Sequence, residues 1–267
     1  MEIGISLDAV VLAGGINTRE LYPGYEPGYK ALIEIHGKPL ISYVLDALHG
    51  SSRINRVGIV GPESDLRPIV GPEYAISAPG DSLLGSVLVA LSMFPESPMV
   101  ALVTADLPLL RAEMVDEFID ACGRQRSDFA DNLYLSVVPR EHFTGEFAAC
   151  AKNMNVFRDI SICHGNLSLI SPSLVRNDKA MSRLNALYAK RKSPIASAMA
   201  IGPKLGLAYI FGVHFFHLWR IDQLARMASN TFNLGLTPVV CPHPEVAVDV
   251  DEPADYQLVT AIFERDR

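Results

Sequence analysis

The sequence predicts an α/β fold with a mixed, mostly parallel sheet flanked by helices, and three observations predict it. Strand-like apolar runs alternate with amphipathic helical stretches through the first half of the chain, the pattern of parallel strands joined by crossover helices. The first of those runs, Asp8-Ala-Val-Val-Leu-Ala-Gly-Gly15, ends abruptly in two glycines, as a buried strand does when it feeds a tight turn. The chain is also apolar enough for a packed interior, at 49% hydrophobic residues with a mean hydropathy of +0.21.

Each element follows in order. After the glycine turn, Ala31 to Ile35 reads as a short strand. Pro39 then opens a helix with Leu40, Val44, Leu45 and Leu48 on one face. Val57 to Val60 is the next strand, and a helix from about Ser82 carries Leu84, Val87, Leu88 and Leu91 at helical spacing. Met99 to Val103 is a continuous apolar strand, followed by a helix marked by Met114, Val115, Phe118 and Ile119. Residues 123–168 are less periodic and predict antiparallel strands, with turns at Phe143-Thr-Gly-Glu146 and His164-Gly-Asn166. Residues 172–230 read as mainly helical, broken at Pro194 and Gly202-Pro203. The chain closes with a strand at Val246 to Val250 and a helix from Pro253 through Tyr256, Val259 and Phe263.

At 267 residues the chain is near the upper size for one hydrophobic core, so a single domain over 1–267 is expected. Thirty acidic against 23 basic residues leave a net charge of −7, and no basic block exceeds Lys190-Arg-Lys192, which argues against nucleic acid as a partner. The cysteines at 122, 150, 163 and 241 show no metal-ligand spacing and read as reduced thiols. The N-terminal stretch has no cationic flank and carries Asp8, unlike a signal peptide, and no apolar run reaches the ~20 residues of a membrane span. A soluble, cytoplasmic protein is expected.

The chemistry concentrates at four segments. The turn Leu12-Ala-Gly-Gly15 lets backbone N–H groups approach a phosphate, and Arg19 and Lys30 are placed to neutralise its charge. Asp106, in Thr104-Ala-Asp-Leu-Pro108, directly follows an apolar strand, where ligands of open parallel sheets bind. It reads as a ligand for Mg²⁺, a cation that takes a few protein oxygens together with substrate phosphates, or else as a helix cap. Val248-Asp-Val-Asp251 repeats that design ahead of Pro253. Asp251, nearer the strand end, is preferred over Asp249 as the second ligand, against the alternative of an acidic helix N-terminus. In Ser77 to Ser86, Gly80 and Ser86 read as bordering a flat base and ribose, or as an ordinary loop with Asp81 or Ser82 as the cap. The Pro-Gly-Tyr repeat of Tyr22 to Tyr29 is either a lid or a turn-rich loop. His214 and His217 lack further ligands at metal spacing; Arg191 and Lys192 read as a solvated face or as reaching an anionic acceptor. Tyr209, Phe211, Phe215, Phe216 and Trp219 read as core in preference to a dimer surface or an apolar acceptor site.

Taken together, LAGGINTR, YKALIEIHGKPLI, TADLPLL and VDVDEPADY resemble the nucleotidyltransferases of the glycosyltransferase-A type fold, with its Rossmann-like nucleotide-diphospho-sugar transferase core. That group includes molybdenum-cofactor guanylyltransferases and sugar-1-phosphate nucleotidylyltransferases. The resemblance implies that Gly14, Gly15 and Arg19 wrap a triphosphate, that Lys30 meets the α-phosphate, and that Asp106 and Asp251 hold Mg²⁺. It further implies that Gly80 and Ser86 border the base and ribose, and more weakly that Asn166 contacts the acceptor. Residues 1–122 are then the nucleotide-binding half and 123–267 the acceptor-side half. Asn17 stands where cofactor-type members usually carry serine, and the Thr18-Arg19 pair with the eleven-residue step to Lys30 resembles the sugar-nucleotide branch. Asp106-Leu-Pro108 and the Asp249-Val-Asp251 close resemble the cofactor branch, so the sequence selects no acceptor.

The expected function is Mg²⁺-dependent transfer of NMP from an NTP to a small phosphorylated acceptor, with pyrophosphate released and an association of two copies left open. A glycosyltransferase using a nucleotide sugar and a non-catalytic nucleotide-binding protein are the competing readings.

Overall fold

The computed structural model describes residues 6–150, 153–189, 206 and 218–265. Its main sheet has eight strands, seven of them in the order β12-β9-β11-β8-β1-β6-β7, with a short β10 on β11. The strands are β1 (Leu7–Leu12), β6 (Ile54–Val60), β7 (Ala75–Ser77), β8 (Val100–Thr104), β9 (Asn132–Pro139), β10 (Asn155–Val156), β11 (Ser161–Ile170) and β12 (Gly235–Val240). β1 pairs parallel with both β6 and β8, β6 with β7, and β12 with β9. β11 is antiparallel to β8 and to β9, which gives the mixed, mostly parallel sheet expected from the sequence.

Burial on both faces explains the near-continuous apolar runs. In β1, Leu7, Ala9 and Val11 enter one core with α1 (Leu40–Gly50), α4 (Ala112–Gly123) and the C-terminal α7 (Pro253–Arg265). Val10 points the other way, into a core with α3 (Leu83–Met93), α5 (Asp178–Ala189) and α6 (Ile221–Phe232). The polar residue in this strand, Asp8, is 4% exposed and takes a bidentate contact from Arg56 at 2.9 and 2.7 Å.

The chain passes from β1 to β6 and β7 on one side and then crosses to β8 on the other. The order therefore reverses between β1 and β8, and the crevice beyond their carboxyl ends is where open α/β sheets bind ligands. Leu12 and Thr104, the last residues of these strands, are register partners. Everything in the site below hangs from that pair.

Several local expectations need correction. Ala31 to Ile35 is a 3₁₀ turn at Lys30–Leu32 and then β4 (Glu34–Ile35) in a two-residue hairpin with β5 (Lys38–Pro39). The hairpin turns at His36 and Gly37, both at positive φ, so the run folds back on itself before a full strand can form. Residues 246–250 form no strand: a 3₁₀ turn spans Pro244–Ala247, and the Val250 N–H then donates to the Asp106 carbonyl at 3.1 Å. His164-Gly-Asn166 lies inside β11, where the ladder to β9 breaks between His164 and Ser168 in a bulge. A Cβ on Gly165 would overlap the Ser136 hydroxyl, which is why glycine serves there.

Helix α2 (Glu63–Val70), β7 and β12 carry weak periodic signals and are seen only in the structure. β12 tolerates Pro238 because it is an edge strand. The breaks at Pro194 and Gly202-Pro203, together with Arg191, Lys192, His214, His217 and the aromatics 209–216, lie outside the described residues. Among the described residues no helix is long and apolar enough to cross a membrane.

Candidate functional site

The glycine turn is held open by backbone contacts. Ala13 N–H donates to Val60 O at 2.8 Å, and Lys30 N–H donates to Gly15 O at 2.9 Å, so the chain returns to the turn exactly one loop later. Two short strands, β2 (Ile16–Asn17) and β3 (Gly28–Tyr29), close that loop. A side chain on Gly14 would press on Pro79 at 3.1 Å, which places the 77–86 segment directly against the turn. In that segment a Cβ on Gly80 would collide with the Gly85 backbone, and the close crossing therefore requires glycine. Ser82 caps α3 by accepting from Gly85 N–H at 3.0 Å, as one sequence alternative expects. Ser86 Oγ accepts from Gly80 N–H at 3.2 Å, so this hydroxyl first shapes the loop.

Lys30, the first residue of the 3₁₀ turn that follows β3, reaches to the carboxyl end of β8. Its Nζ lies 3.0 Å from Asp106 Oδ2 and also pairs with Asp251 Oδ1. Asp106 is 5% exposed, and its Oδ1 is buried without a hydrogen-bond partner. Capping is excluded as its role, because α4 begins at Ala112 with Arg111 as its cap. Oxygens of Asp106, Asp249 and Asp251 come within 4.8 Å of one another, and among the described residues this is the one carboxylate cluster able to hold a metal ion.

Three carboxylates facing one ammonium leave excess negative charge. Burial alone would push Lys30 down, but Asp106 and Asp251 reverse that and hold its ammonium above the usual lysine range. Burial pushes the Asp251 carboxyl up, with Asp249 and Asp106 adding to it against the pull of Lys30. A divalent cation relieves both the repulsion and the unpartnered Asp106 oxygen, so the donor set fits one.

The C-terminal acidic segment is fixed from both ends. Asp255, near the start of α7, accepts from Asp251 N–H at 3.2 Å and Glu252 N–H at 3.0 Å, which takes over the capping role and leaves the Asp251 side chain to face Lys30. Asn17, 4% exposed, donates its amide to the Asp251 carbonyl at 3.3 Å, while its Oδ1 accepts from Arg19 N–H at 2.8 Å. Arg19 pairs with Glu252. The ring of Tyr22 rests on Tyr25 and Tyr256, at 5.4 and 5.0 Å between centroids, so the tyrosine loop is tethered to α7.

Beside the acidic cluster lies a cavity of about 650 Å³ whose lining includes Asn166, Asn155, Cys163, Asp249 and Asp251. Asn166 thus sits on a wall shared with the cluster, whereas Gly80 and Ser86 belong to the segment packed against the glycine turn and do not line this cavity. The sequence marked Asn17 only as a departure from the serine of cofactor-type members, and it did not single out Glu252 or Asp255. Only Asp255 has a local signal, an acidic residue three positions into a helix, able to reach back to the capping backbone.

The profile of the MobA-like NTP transferase domain matches residues 9–154, more than half of the chain. Bifunctional protein GlmU of Thermodesulfovibrio yellowstonii is 32% identical over 145 residues, covering 52% of this chain and 30% of that protein. A probable molybdenum cofactor guanylyltransferase of Pyrococcus furiosus is 30% identical over 132 residues, covering 49% of this chain and 59% of its own. The chain therefore spans less than two thirds of the length of these curated relatives. Among solved structures, a hypothetical transferase from Thermus thermophilus superimposes with a TM-score of 0.75 at 27% identity, over 94% of this chain and 100% of the other. A 2-C-methyl-D-erythritol 4-phosphate cytidylyltransferase from the same organism shares the fold, with a TM-score of 0.55 at 15% identity over 97% and 100% of the two chains.

Proposed function

The chain belongs to the MobA-like NTP transferase domain family, and from that premise we propose that it transfers NMP from an NTP to a small phosphorylated acceptor and releases pyrophosphate. The observation that carries this reading is the meeting of Lys30, Asp106 and Asp251 at the mouth of the glycine turn. A cation and two carboxylates beyond the ends of β1 and β8 suit a reacting phosphate better than they suit a structural ion pair.

In the proposed reaction an acceptor phosphate oxygen attacks the α-phosphorus. The new O–P bond forms as the bond from the α-phosphorus to the bridging oxygen breaks, and pyrophosphate leaves with that electron pair. The attacking phosphate is already ionised near neutral pH, so no general base is needed, and catalysis is positioning and charge neutralisation. The turn at Leu12, Ala13, Gly14 and Gly15 presents backbone N–H groups to the triphosphate, and Arg19 clamps its outer end. Lys30 neutralises charge developing on the α-phosphate. Gly80 and Ser86 border the base and ribose, and Asn166 faces the acceptor from the cavity wall. Asp106 and Asp251 would hold Mg²⁺, with Asp249 within reach of the same position, and the ion would supply divalent charge to neutralise the phosphates.

The experiment that tests this reading is a thermal-shift series with ATP, GTP, CTP and UTP, each with Mg²⁺ or with EDTA, followed by a pyrophosphate-release assay with phosphorylated acceptors. A magnesium-dependent rise in Tm for one nucleotide, and pyrophosphate release with it, is expected. No shift and no pyrophosphate with any of the four overturns the reading.

A further inference from the structure

Asn17 is a buried amide with both of its ends engaged, and its partners belong to different parts of the site. Through Oδ1 it takes the Arg19 N–H at 2.8 Å and so sets the turn from which that guanidinium leaves the glycine loop. Through Nδ2 it holds the Asp251 carbonyl at 3.3 Å, across 234 residues of sequence. The other side of Asp251 is fixed by Asp255, so the Asp251 backbone is clamped before and after its side chain. Removing the Asn17 amide frees one of those two ends.

We infer that Asn17 is a positioning residue that couples nucleotide and metal binding, orienting Arg19 for the triphosphate and Asp251 for a divalent cation through one side chain. This inference rests on the nucleotidyltransferase reading of the site. Serine cannot replace the asparagine here. Its hydroxyl accepts from Arg19 N–H in the same kind of turn, but it lacks the amide arm that reaches Asp251. Aspartate keeps the size and the Arg19 contact and turns the donor aimed at the Asp251 carbonyl into a repelling oxygen.

Groups that orient a metal ligand typically change metal affinity about 10–100-fold when lost. Where Mg²⁺ binds the nucleotide complex far more tightly than the free protein, linkage makes the same factor appear in the gain of nucleotide affinity at a fixed Mg²⁺ concentration. The test measures the dissociation constants of ATP, GTP, CTP and UTP by calorimetry with Mg²⁺ and with EDTA, on the wild type, Asn17→Ser and Asn17→Asp, with Tm recorded without ligand. For the nucleotide that binds, Asn17→Ser should keep its EDTA affinity within a few-fold of wild type. Its gain from Mg²⁺ should fall by about tenfold or more.

Asn17→Asp should lose that gain as well, and serves alone if the serine variant does not fold. If the wild type gains from Mg²⁺ and both folded variants keep the full gain, the coupling role is overturned and the transferase reading stands. If the wild type gains nothing from Mg²⁺, the magnesium-dependent reading fails and takes the coupling with it. A fall in ligand-free Tm with the gain intact marks Asn17 as a structural residue only and also overturns the inference.

Discussion

Lys30 Nζ stands 3.0 Å from Asp106 Oδ2, a contact between the 3₁₀ turn that follows the glycine loop and the segment just beyond β8, 76 residues further on. It joins the cation proposed for the α-phosphate to the carboxylate proposed for the metal. Each therefore serves as the other's counter-ion in the ligand-free protein.

Replacing Lys30 by Ala is expected to lower turnover by about 10²–10³, the scale of losing one electrostatic stabiliser. The same change leaves the buried Asp106 without its partner, so the ligand-free Tm should fall. Added Mg²⁺ should narrow that deficit, because it substitutes for the missing positive charge. Melting curves of both proteins with Mg²⁺ or EDTA check this, and a deficit that Mg²⁺ leaves unchanged refutes it.

Among the carboxylates, Asp106→Ala and Asp251→Ala are each expected to reduce turnover by about 10² or more. Asp249→Asn separates the two candidates for the second ligand. If Asp251 is that ligand, Asp249→Asn shifts the Mg²⁺ concentration for half-maximal rate by much less than Asp251→Asn does. Magnesium titrations of the initial rate decide between them.

Glu252 pairs with Arg19 at the surface and competes there with an incoming triphosphate. Glu252→Gln should therefore tighten nucleotide binding a few-fold at low salt, an effect that fades as salt screens the exposed pair. Weaker binding in the variant would mean that Glu252 positions Arg19 and does not compete for its charge.

Gly80→Ala forces a methyl group into the Gly85 backbone and must open the 80–86 loop. Overpacking of this kind costs about 1–3 kcal/mol where the structure cannot yield. Nucleotide affinity is expected to drop more than tenfold while the far-UV circular dichroism stays native, because the sheet does not depend on this loop. Unchanged affinity would remove Gly80 from the base-binding side.

Stability at low pH should follow Asp8. Burial pushes its carboxyl up, but the Arg56 contact and a hydrogen bond with Ser97 together outweigh burial and leave it below the usual carboxylate value of 3.8. A carboxyl whose pKa is depressed by folding stabilises the native state above its unfolded value, and that stability is lost as pH falls through the folded value. Asp8→Asn should therefore lower Tm at neutral pH, and the gap to wild type should close as pH drops below 3.8. Melting curves across that range measure it.

Much of this fold was legible because its strands are buried on both faces and its helices carry one apolar stripe. β1, β8, α1 and α4 announce themselves that way. β12 did not, because an edge strand with a central proline lacks the apolar run that marks an interior one. Residues 246–250 look like a strand in composition, yet Val250 makes a single backbone bond to Asp106, and nothing in the sequence distinguishes one such bond from a ladder. In the site, glycines, cations and carboxylates stand at readable motifs. Asn17 does not, because its role lies in two contacts, one of which spans 234 residues.

That long contact has a consequence for how the protein is born. β1 and the glycine turn leave the ribosome well before Asp251, 234 residues after Asn17, and before the Asp255 that braces it. A nascent chain halted after β8 holds the loop, Lys30 and Asp106 but has no Asp251 to complete the cluster. Synthesis runs at about 5–20 residues per second, so the crevice gains its second proposed metal ligand roughly 10–50 s after the glycine turn has been made.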